Sequence, residues 1–279
     1  TISQTRDILN EIRRAGIVMF PDVTFLGLEL YDWCIIIGVV LALVVARIYS
    51  DLLKIPARLQ NLIYVTAVVA IVAGIGGAIL FQSVYNWIET GVFEWRGMTF
   101  YGGLICGAVI FLVGYFPVGK KICGDMPKQY FFKVSGMAAC AIAIAHCVGR
   151  IGCLFAGCCY GHVTDAWYGI YLPAVGEKVV PTQLFESIFL FCLFIVLTVL
   201  LFRTKISGLG VYLTAYAVFR FCIEFVRGDD RGQLTGGITP SQFWSILLFV
   251  AGVIVIIAPY VIARFRPKKE DPPDQAADA

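Results

Sequence analysis

Long apolar runs separated by short polar connections dominate this chain. A helix crosses the hydrocarbon core of a bilayer with about 20 mostly apolar residues. Seven runs approach or reach that length, at residues 33–48, 62–81, 98–116, 134–152, 184–202, 209–226 and 243–262. The period-two alternation of an outer-membrane barrel is absent from the sequence. The pattern therefore predicts an all-α, polytopic membrane protein built as a bundle of seven transmembrane helices.

The composition agrees with this pattern and excludes two other classes of protein. Of the 279 residues, 59% are hydrophobic and 15% are charged. Soluble domains carry roughly 25% charged and 45–50% apolar residues, so a soluble globular protein is excluded. The net charge of +3 is small and scattered along the chain. We therefore expect membrane lipid, and no nucleic acid, among the binding partners.

Basic residues fall mainly in alternate connections between the predicted helices. The first, third and fifth connections and the C-terminal segment are rich in Lys and Arg, and the even-numbered connections are poor in them. Basic loops stay in the cytoplasm. The count predicts an N-terminus outside and a cytoplasmic C-terminus. Only the N-terminal arm, with Arg6, Arg13 and Arg14, argues the other way.

Short segments flank the predicted membrane domain of residues 33–262. In the arm, residues 1–32, apolar side chains recur at helical spacing, which is typical of an interfacial helix or of an exposed, frayed terminus. The tail, residues 263–279, is rich in Pro, Asp and Lys, and this predicts a disordered cytoplasmic segment. The longest connection, residues 153–182, has room for a small extracytoplasmic cap.

Polar side chains collect at the predicted outer ends of the helices. They are Arg150, Gln183, Glu186, Arg220, Glu224 and Arg227, with Tyr101 at the same depth. Charged groups in lipid cost several kcal/mol unless they face a cavity or one another. One interpretation is an ion-pair network in which Glu224 neutralises Arg220 or Arg150. The other is an anionic-lipid site, because three arginines against two glutamates leave surplus positive charge and a guanidinium fits phosphate.

Cysteine and glycine are abundant, and each leaves alternatives open. Cys153, Cys158 and Cys159 lie within the segment G-C-L-F-A-G-C-C-Y-G. Their spacing differs from the usual C-x2-C of metal sites, so we predict no metal. A disulfide from Cys153 to one of the other two, or reduced thiols packed as small apolar residues, both fit. The glycines around Gly102 and Gly103 permit close helix packing or backbone approach to a ligand.

Four motifs together resemble the prolipoprotein diacylglyceryl transferase family. They are G-M-T-F-Y-G-G-L-I at 97–105, G-R-I-G at 149–152, P-T-Q-L-F-E at 181–186 and Y-A-V-F-R-F-C-I-E-F-V-R at 216–227. They occur in the family's order and at its spacing, and Ser241-Gln242 also fits. The resemblance covers about residues 30–260. The G-R-I-G and R-x3-E-x2-R elements together are its most specific part.

The resemblance implies a multi-pass enzyme of the bacterial cytoplasmic membrane that needs no cofactor. Such an enzyme moves the diacylglyceryl group of phosphatidylglycerol to the lipobox cysteine thiol of a preprolipoprotein signal peptide and releases glycerol phosphate. The implied catalytic residues are Arg150, Arg220, Tyr101 and Glu224. The implied substrate-binding residues are Arg227, Gln183, Glu186, Gly102, Gly103, Gly149, Cys153 and Cys158. The thiolate is the nucleophile, and fixed guanidiniums would stabilise the leaving phosphate.

The sequence differs from the family's usual pattern at three positions. The family usually has His where this chain has Tyr101, and Asn and an acidic residue at the positions of Cys153 and Cys158. A phenol, with a pKa of about 10, is a poor general base unless nearby cations lower it. Tyr101 is therefore either such a base or a group that orients the lipid. A paralogue with another lipid donor or acceptor, and a non-enzymatic lipid-binding or transport protein, stay open as alternatives.

Overall fold

The structure, a computed structural model, describes residues 24–95, 100–173, 175–228 and 238–265. Within these ranges seven helices are long and apolar enough to cross a membrane. Each of them contains one of the seven apolar runs or overlaps it closely. The prediction of a seven-helix, multi-pass membrane protein is therefore confirmed. The orientation of the termini stays a prediction.

The elements follow one another in an order that alternates long helices with short connections. The helices are α1 Leu30–Leu52, α2 Ala57–Thr90, α3 Phe100–Val113, α4 Gly119–Cys123, α5 Met126–Phe155, α6 Thr182–Arg203, α7 Gly208–Ile223 and α8 Pro240–Phe265. A π-helical turn, Gly114–Val118, joins α3 to α4, and a 3-10 turn, Glu224–Val226, follows α7. The strands form two antiparallel pairs, β1 Thr24–Phe25 with β2 Leu28–Glu29 and β3 Ile170–Leu172 with β4 Glu177–Val179.

Several helices extend beyond the apolar runs that predicted them, and α2 does so most. The run covers residues 62–81, whereas α2 has 34 residues. In the extension, Gln82 Nε2 donates to Asn86 Oδ1 over 2.9 Å, and the Ser83 hydroxyl donates to a carbonyl one turn earlier. Because these polar side chains form hydrogen bonds within the helix, the helix can continue beyond the apolar run. The helix stops at Gly91, whose φ of 74° suits a left-handed C-cap.

The chain divides into two compact units. The first is Asp32–Gly149, and the second combines Thr1–Tyr31 with Arg150–Ala279. In each unit the helices expose large apolar side chains, such as Val72 at 66% and Ile254 at 59%. Exposed apolar surface of this kind is what a helix presents to lipid hydrocarbon.

Close helix packing in the first unit depends on glycines of α2 and α3. A Cβ atom added to Gly102 would lie 2.6 Å from Phe81 Cβ and 2.8 Å from the Gly77 carbonyl oxygen. One added to Gly103 would lie 3.1 Å from the Gly74 carbonyl oxygen. The two backbones can approach only because these side chains are absent. Of the two interpretations of Gly102 and Gly103, helix packing therefore has direct structural support.

The second unit contains a similar contact between α7 and α8. A Cβ atom added to Gly210 would lie 2.6 Å from Ile256 Cγ1 and 3.0 Å from the Gly252 carbonyl oxygen. Helix α7 begins at Ser207, whose hydroxyl accepts a hydrogen bond from the Gly210 amide over 3.3 Å. This packing sets the end of α7 beside the start of α8.

The connection at residues 153–182 contains the small β3–β4 pair. Its core consists of Ile170, Leu172 and Val179, all of them buried. The predicted cap therefore has a regular structure, and its side of the membrane stays a prediction. Helix α8 continues to Phe265, three residues into the predicted tail, and the strands and first residues of α1 occupy the end of the predicted arm. The predicted interfacial helix and the rest of the tail lie outside the described residues.

Candidate active site

A buried ion pair joins the end of α5 to the start of α6. Arg150 Nη2 lies 2.5 Å from Glu186 Oε2, and the two side chains are 13% and 1% exposed. The Tyr216 hydroxyl of α7 donates to the other carboxylate oxygen, Glu186 Oε1, over 2.8 Å. Hydrogen bonds with an ionised partner are roughly twice as strong as neutral ones. The end of α5, the start of α6 and Tyr216 of α7 therefore meet around the carboxylate of Glu186.

A second buried ion pair lies where α7 ends. Arg220 Nη1 is 2.6 Å from Glu224 Oε2, and the side chains are 12% and 4% exposed. Arg227 Nε is 4.0 Å from the same oxygen. Arg220 Nη2 also donates to Ser241 Oγ over 2.8 Å, and Thr239 Oγ1 donates to Glu224 Oε1 over 2.9 Å. The start of α8 thus supplies a hydroxyl to each member of the pair.

The hydroxyls of Thr239 and Ser241 are positioned by the hydrogen bonds with which α8 begins. Thr239 Oγ1 accepts a hydrogen bond from the Gln242 amide over 3.2 Å, and Gln242 Oε1 accepts one from the Thr239 amide over 3.1 Å. This reciprocal pair is a capping box, with Pro240 at the first helical position. This contribution was not predicted, although the T-P-S-Q run before an apolar stretch is the sequence signature of a capping box.

Backbone pairing places Arg227. Gly161 and Arg227 form an antiparallel bridge, and the His162 amide donates to the Val226 carbonyl over 3.0 Å. A Cβ atom added to Gly161 would lie 2.7 Å from that carbonyl oxygen, so the approach requires glycine. The connection after α5 therefore pairs with the segment after α7 and fixes the backbone from which the Arg227 side chain starts.

Three cysteine thiols lie at the same end of the second unit. The Sγ atoms of Cys153, Cys158 and Cys159 all lie within 4.8 Å of one another. Arg150 Nη1 is 3.7 Å from Cys153 Sγ. No disulfide joins any of the described cysteines, so of the two alternatives the reduced thiols correspond to this structure.

The cluster has an uneven distribution of acidity. Hydrogen bonds with the Cys153 and Cys158 thiols, the positive charge of Arg150 and a hydrogen bond from Arg227 lower the pKa of Cys159 well below its ordinary value. Hydrogen bonds with Cys153 and Cys159, together with burial, raise the pKa of Cys158. The pKa shifts of Cys158 and Cys159 therefore have opposite directions.

Gln183 connects the cysteine loop to the first turn of α6. It is fully buried, and its Nε2 donates to the Cys158 carbonyl over 2.5 Å. Among the described residues, neither Gln183 Oε1 nor Arg150 Nε has a hydrogen-bond partner. A buried acceptor and a buried donor without partners are costly in a folded protein. Both atoms are therefore suited to bind a polar ligand.

Most of the predicted site residues belong to this one constellation in the second unit. They are Arg150, Cys153, Cys158, Gln183, Glu186, Arg220, Glu224 and Arg227. Tyr216, Thr239 and Ser241 complete it and were not predicted. Tyr216 had a signal in the sequence, since it lies one helical turn before Arg220.

The other predicted site residues, Tyr101, Gly102, Gly103 and Gly149, belong to the first unit. The side chain of Tyr101 lies outside the described part of the chain. Gly102 and Gly103 lie in the α2–α3 contact. A Cβ atom added to Gly149 would meet only Ile35 Cδ1, at 3.8 Å, so helix packing does not require glycine there. A role for these four residues in substrate binding or catalysis stays a prediction.

Comparison with known proteins identifies the family to which the chain is similar. A model of the prolipoprotein diacylglyceryl transferase family matches residues 19–258. A Clostridium perfringens protein named phosphatidylglycerol–prolipoprotein diacylglyceryl transferase 2 is 34% identical over 182 residues, which are 63% of this chain and 66% of that protein. A Clostridium tetani protein named phosphatidylglycerol–prolipoprotein diacylglyceryl transferase is 32% identical over 74% of this chain and 83% of that protein. A Dehalococcoides mccartyi protein of the same name is 29% identical over 84% of this chain and 90% of that protein.

Helices and site together define a multi-pass membrane protein with a buried, arginine-rich site. The family match covers most of the chain and includes every residue of that site. The chain belongs to the prolipoprotein diacylglyceryl transferase family, a family of transferases found in bacteria.

Proposed function

We propose that this protein transfers the diacylglyceryl group of phosphatidylglycerol to the lipobox cysteine of a preprolipoprotein in the bacterial cytoplasmic membrane. The observation that carries the proposal is the charge of the buried site. Three guanidiniums, of Arg150, Arg220 and Arg227, face two carboxylates, of Glu186 and Glu224. The surplus of one positive charge matches the single negative charge of a phosphodiester head group.

The unpartnered polar atoms fit the head group in more detail. Arg150 Nε is a buried donor, suited to a phosphate oxygen, and Gln183 Oε1 is a buried acceptor, suited to a hydroxyl of the glycerol head group. Arg150 contacts Cys153 within the last turn of α5, and Gln183 contacts Cys158 in the loop that follows that helix. A phosphate and an alcohol close together are the chemical features of phosphatidylglycerol.

The reaction needs a thiolate and a stabilised leaving group. The acceptor thiol loses its proton, and the sulfur attacks the glyceryl carbon that carries the phosphate. A C–S bond forms, the C–O bond breaks, and its electron pair leaves on the phosphate. We assign the stabilisation of this charge to Arg150 and Arg220, which their ion pairs hold in place before the reaction starts. Glu224 orients Arg220, and Arg227 adds positive charge beside it.

The first unit has proposed roles in the same reaction. Tyr101 is assigned either to proton removal from the acceptor thiol or to orientation of the lipid. Gly102, Gly103 and Gly149 are assigned to backbone contacts with substrate. The resemblance to the family supports the three glycine assignments, and Tyr101 stands at the position where the family usually has His.

Complementation is the test of the proposed function. A bacterial strain depleted of its own diacylglyceryl transferase is given this chain, and we expect restored growth and lipoproteins that carry the thioether-linked diacylglyceryl group. The matched control is the Arg150→Lys variant at equal expression, which keeps a positive charge without the planar guanidinium. A membrane-inserted chain that neither restores growth nor releases glycerol phosphate from phosphatidylglycerol would contradict the proposal.

A second candidate is a paralogue that uses another donor or acceptor. Tyr101, Cys153 and Cys158, which stand where the family usually has other residues, favour it. Purified protein is therefore offered phosphatidylglycerol or phosphatidylethanolamine, each with a lipobox peptide or with the same peptide carrying Ser for Cys. Product only from phosphatidylglycerol and the cysteine peptide supports the first function. Product from another pair supports the paralogue.

The membrane orientation has its own test. We expect the N-terminus and residues 153–182 outside and the basic connection around Asp125 inside. A single cysteine introduced by Asp125→Cys, with the native cysteines replaced, is exposed to an impermeant maleimide. It is expected to react only after the membrane is opened. Reaction in intact cells would contradict the orientation.

A further inference from the structure

The three thiols of Cys153, Cys158 and Cys159, hereafter the thiol triad, form a second chemical feature of the second unit. Their mutual Sγ separations are all within 4.8 Å. Three sulfur atoms bound tetrahedrally to one zinc ion, at about 2.3 Å each, lie roughly 3.8 Å apart. The triad thus lies within about an ångström of the spacing of a three-thiolate metal site.

The backbone that carries the triad is held in place from several sides. Cys158 N donates to the Cys153 carbonyl over 3.2 Å, which closes the loop on the end of α5. The first turn of α6 binds the other side, since Thr182 Oγ1 donates to the Cys159 carbonyl over 2.6 Å and Gln183 Nε2 to that of Cys158 over 2.5 Å. Ligands held before the ion arrives are a general feature of well-defined sites.

The backbone of Cys159 is itself unusual. Its φ is 65°, in the left-handed region that residues other than glycine, asparagine and aspartate seldom adopt. Such a conformation costs on the order of 1 kcal/mol or more and persists where surrounding contacts fix it, often at functional sites. Here it lets two adjacent cysteines contribute their sulfurs to one cluster.

We propose that the thiol triad binds a single thiophilic metal ion of the Zn²⁺ class. Thiolate ligands select zinc and similar soft or borderline ions over magnesium or calcium. The guanidinium of Arg150, with Nη1 3.7 Å from Cys153 Sγ, places a positive charge beside these ligands. A disulfide would use only two of the three sulfurs. The triad would therefore have this role instead of the substrate contacts that the resemblance implies for Cys153 and Cys158.

The proposed site leaves one coordination position for a ligand from outside the triad. Among the described residues, the metal-ligand group comprises only these three sulfurs, and Cys158 is exposed. Zinc is usually four-coordinate, and a site with three protein ligands takes water or another small ligand in the fourth position. The inference does not rest on the proposed function, because metal binding is measured without turnover.

The test compares metal content in matched variants. Wild-type protein, a triad variant (Cys153→Ser, Cys158→Ser and Cys159→Ser) and a control variant (Cys106→Ser, Cys192→Ser and Cys222→Ser) are purified under reducing conditions. Each is stripped with a chelator, reloaded with zinc and passed through a desalting column. Mass spectrometry of the metal is expected to find one zinc ion per chain in wild type and control, and none in the triad variant. Equal zinc in all three, or no zinc in fully reduced wild type, would overturn the proposal.

A second measurement uses wild-type protein alone, in case the triad variant does not fold. Zinc-loaded and zinc-free protein are treated with a thiol-alkylating reagent, and the modified cysteines are mapped by peptide mass spectrometry. Protection by zinc at Cys153, Cys158 and Cys159, with unchanged rates at Cys192 and Cys222, is the expected result. Protection at other cysteines only, or equal alkylation of the triad with and without zinc, would overturn it.

Discussion

Each unit contains a pair of opposite charges four residues apart, but one pair is exposed and the other is buried. In the first unit Arg47 Nε lies 3.4 Å from Asp51 Oδ2, and the side chains are 57% and 52% exposed. In the second unit Arg220 and Glu224, also four residues apart, are only 12% and 4% exposed. The spacing brings the partners together in both helices. The surroundings decide whether the pair is a solvated surface contact or part of a buried site.

The difference in burial changes what each pair contributes. An exposed ion pair contributes about 0–1 kcal/mol to stability. A buried pair pays a desolvation cost that offsets much of its attraction, yet losing one partner costs about 3–5 kcal/mol because the other charge remains buried. Buried pairs are therefore poor stabilisers of a membrane protein, and their presence indicates a functional site.

The largest expected difference in the free energy of unfolding follows the removal of one carboxylate charge from each pair. Glu224→Gln leaves the Arg220 guanidinium buried without its counter-charge, and we expect the free energy of unfolding to fall by about 3–5 kcal/mol. The matched Asp51→Asn change is expected to cost about 1 kcal/mol or less. Reversible unfolding in mixed micelles measures both. Similar losses in the two variants would mean that burial does not distinguish the pairs.

A smaller difference in the free energy of unfolding is expected when the hydroxyl of one tyrosine in each unit is removed. Tyr216 donates to the carboxylate of Glu186 over 2.8 Å, whereas the Tyr64 hydroxyl is 3.2 Å from the neutral Ser50 hydroxyl. We expect Tyr216→Phe to cost about 1.5–3 kcal/mol and Tyr64→Phe about 0.5–1.5 kcal/mol. The same unfolding measurement applies. A larger cost at Tyr64 would show that the carboxylate network is not the more sensitive one.

The last comparison of stabilities tests what holds the first unit together. Gly102→Ala forces the α2 and α3 backbones apart, and we expect it to destabilise the protein by about 1–3 kcal/mol. Gly76→Ala is the control, because no atom of the described residues lies within 4 Å of its added Cβ atom, and alanine favours a helix by about 1 kcal/mol over glycine. If Gly102→Ala unfolds like wild type but lowers turnover, contact with substrate, rather than packing, would account for this glycine.

Much of this architecture could be read from the sequence because its signals are local. The apolar runs predicted seven spans, and the helical spacing of Arg220 and Glu224 predicted their pairing. The partner of Arg150 could not be found this way. Glu186 lies 36 residues further on, across the connection that separates the end of α5 from the start of α6. The sequence offered Glu224 as an alternative, and the structure pairs Glu224 with Arg220 and Arg227 instead.

The geometry of the thiol triad also could not be predicted from the sequence, although its three cysteines lie within one short segment. The C-x4-C-C spacing does not match the usual metal motif, so the sequence argued against a metal site, while a disulfide between two of the sulfurs stayed open. They converge because Gly157 and Cys159 both adopt positive φ, at 64° and 65°, and wind the chain back on the end of α5. A glycine in a sequence indicates that a positive φ is possible, but no feature of the sequence predicts a positive φ at Cys159.

The central claim is that the buried guanidiniums of Arg150 and Arg220 stabilise the leaving phosphate. Arg→Lys keeps the charge and discards the planar, bidentate fork. Release of glycerol phosphate from phosphatidylglycerol, with a lipobox peptide as acceptor, is measured for Arg150→Lys, Arg220→Lys and the exposed control Arg47→Lys, after folding is verified. We predict a loss of about 100-fold or more in the two site variants and near-wild-type turnover in the control. Near-wild-type turnover in both site variants would contradict the claim and leave the arginines as counter-ions that join helices.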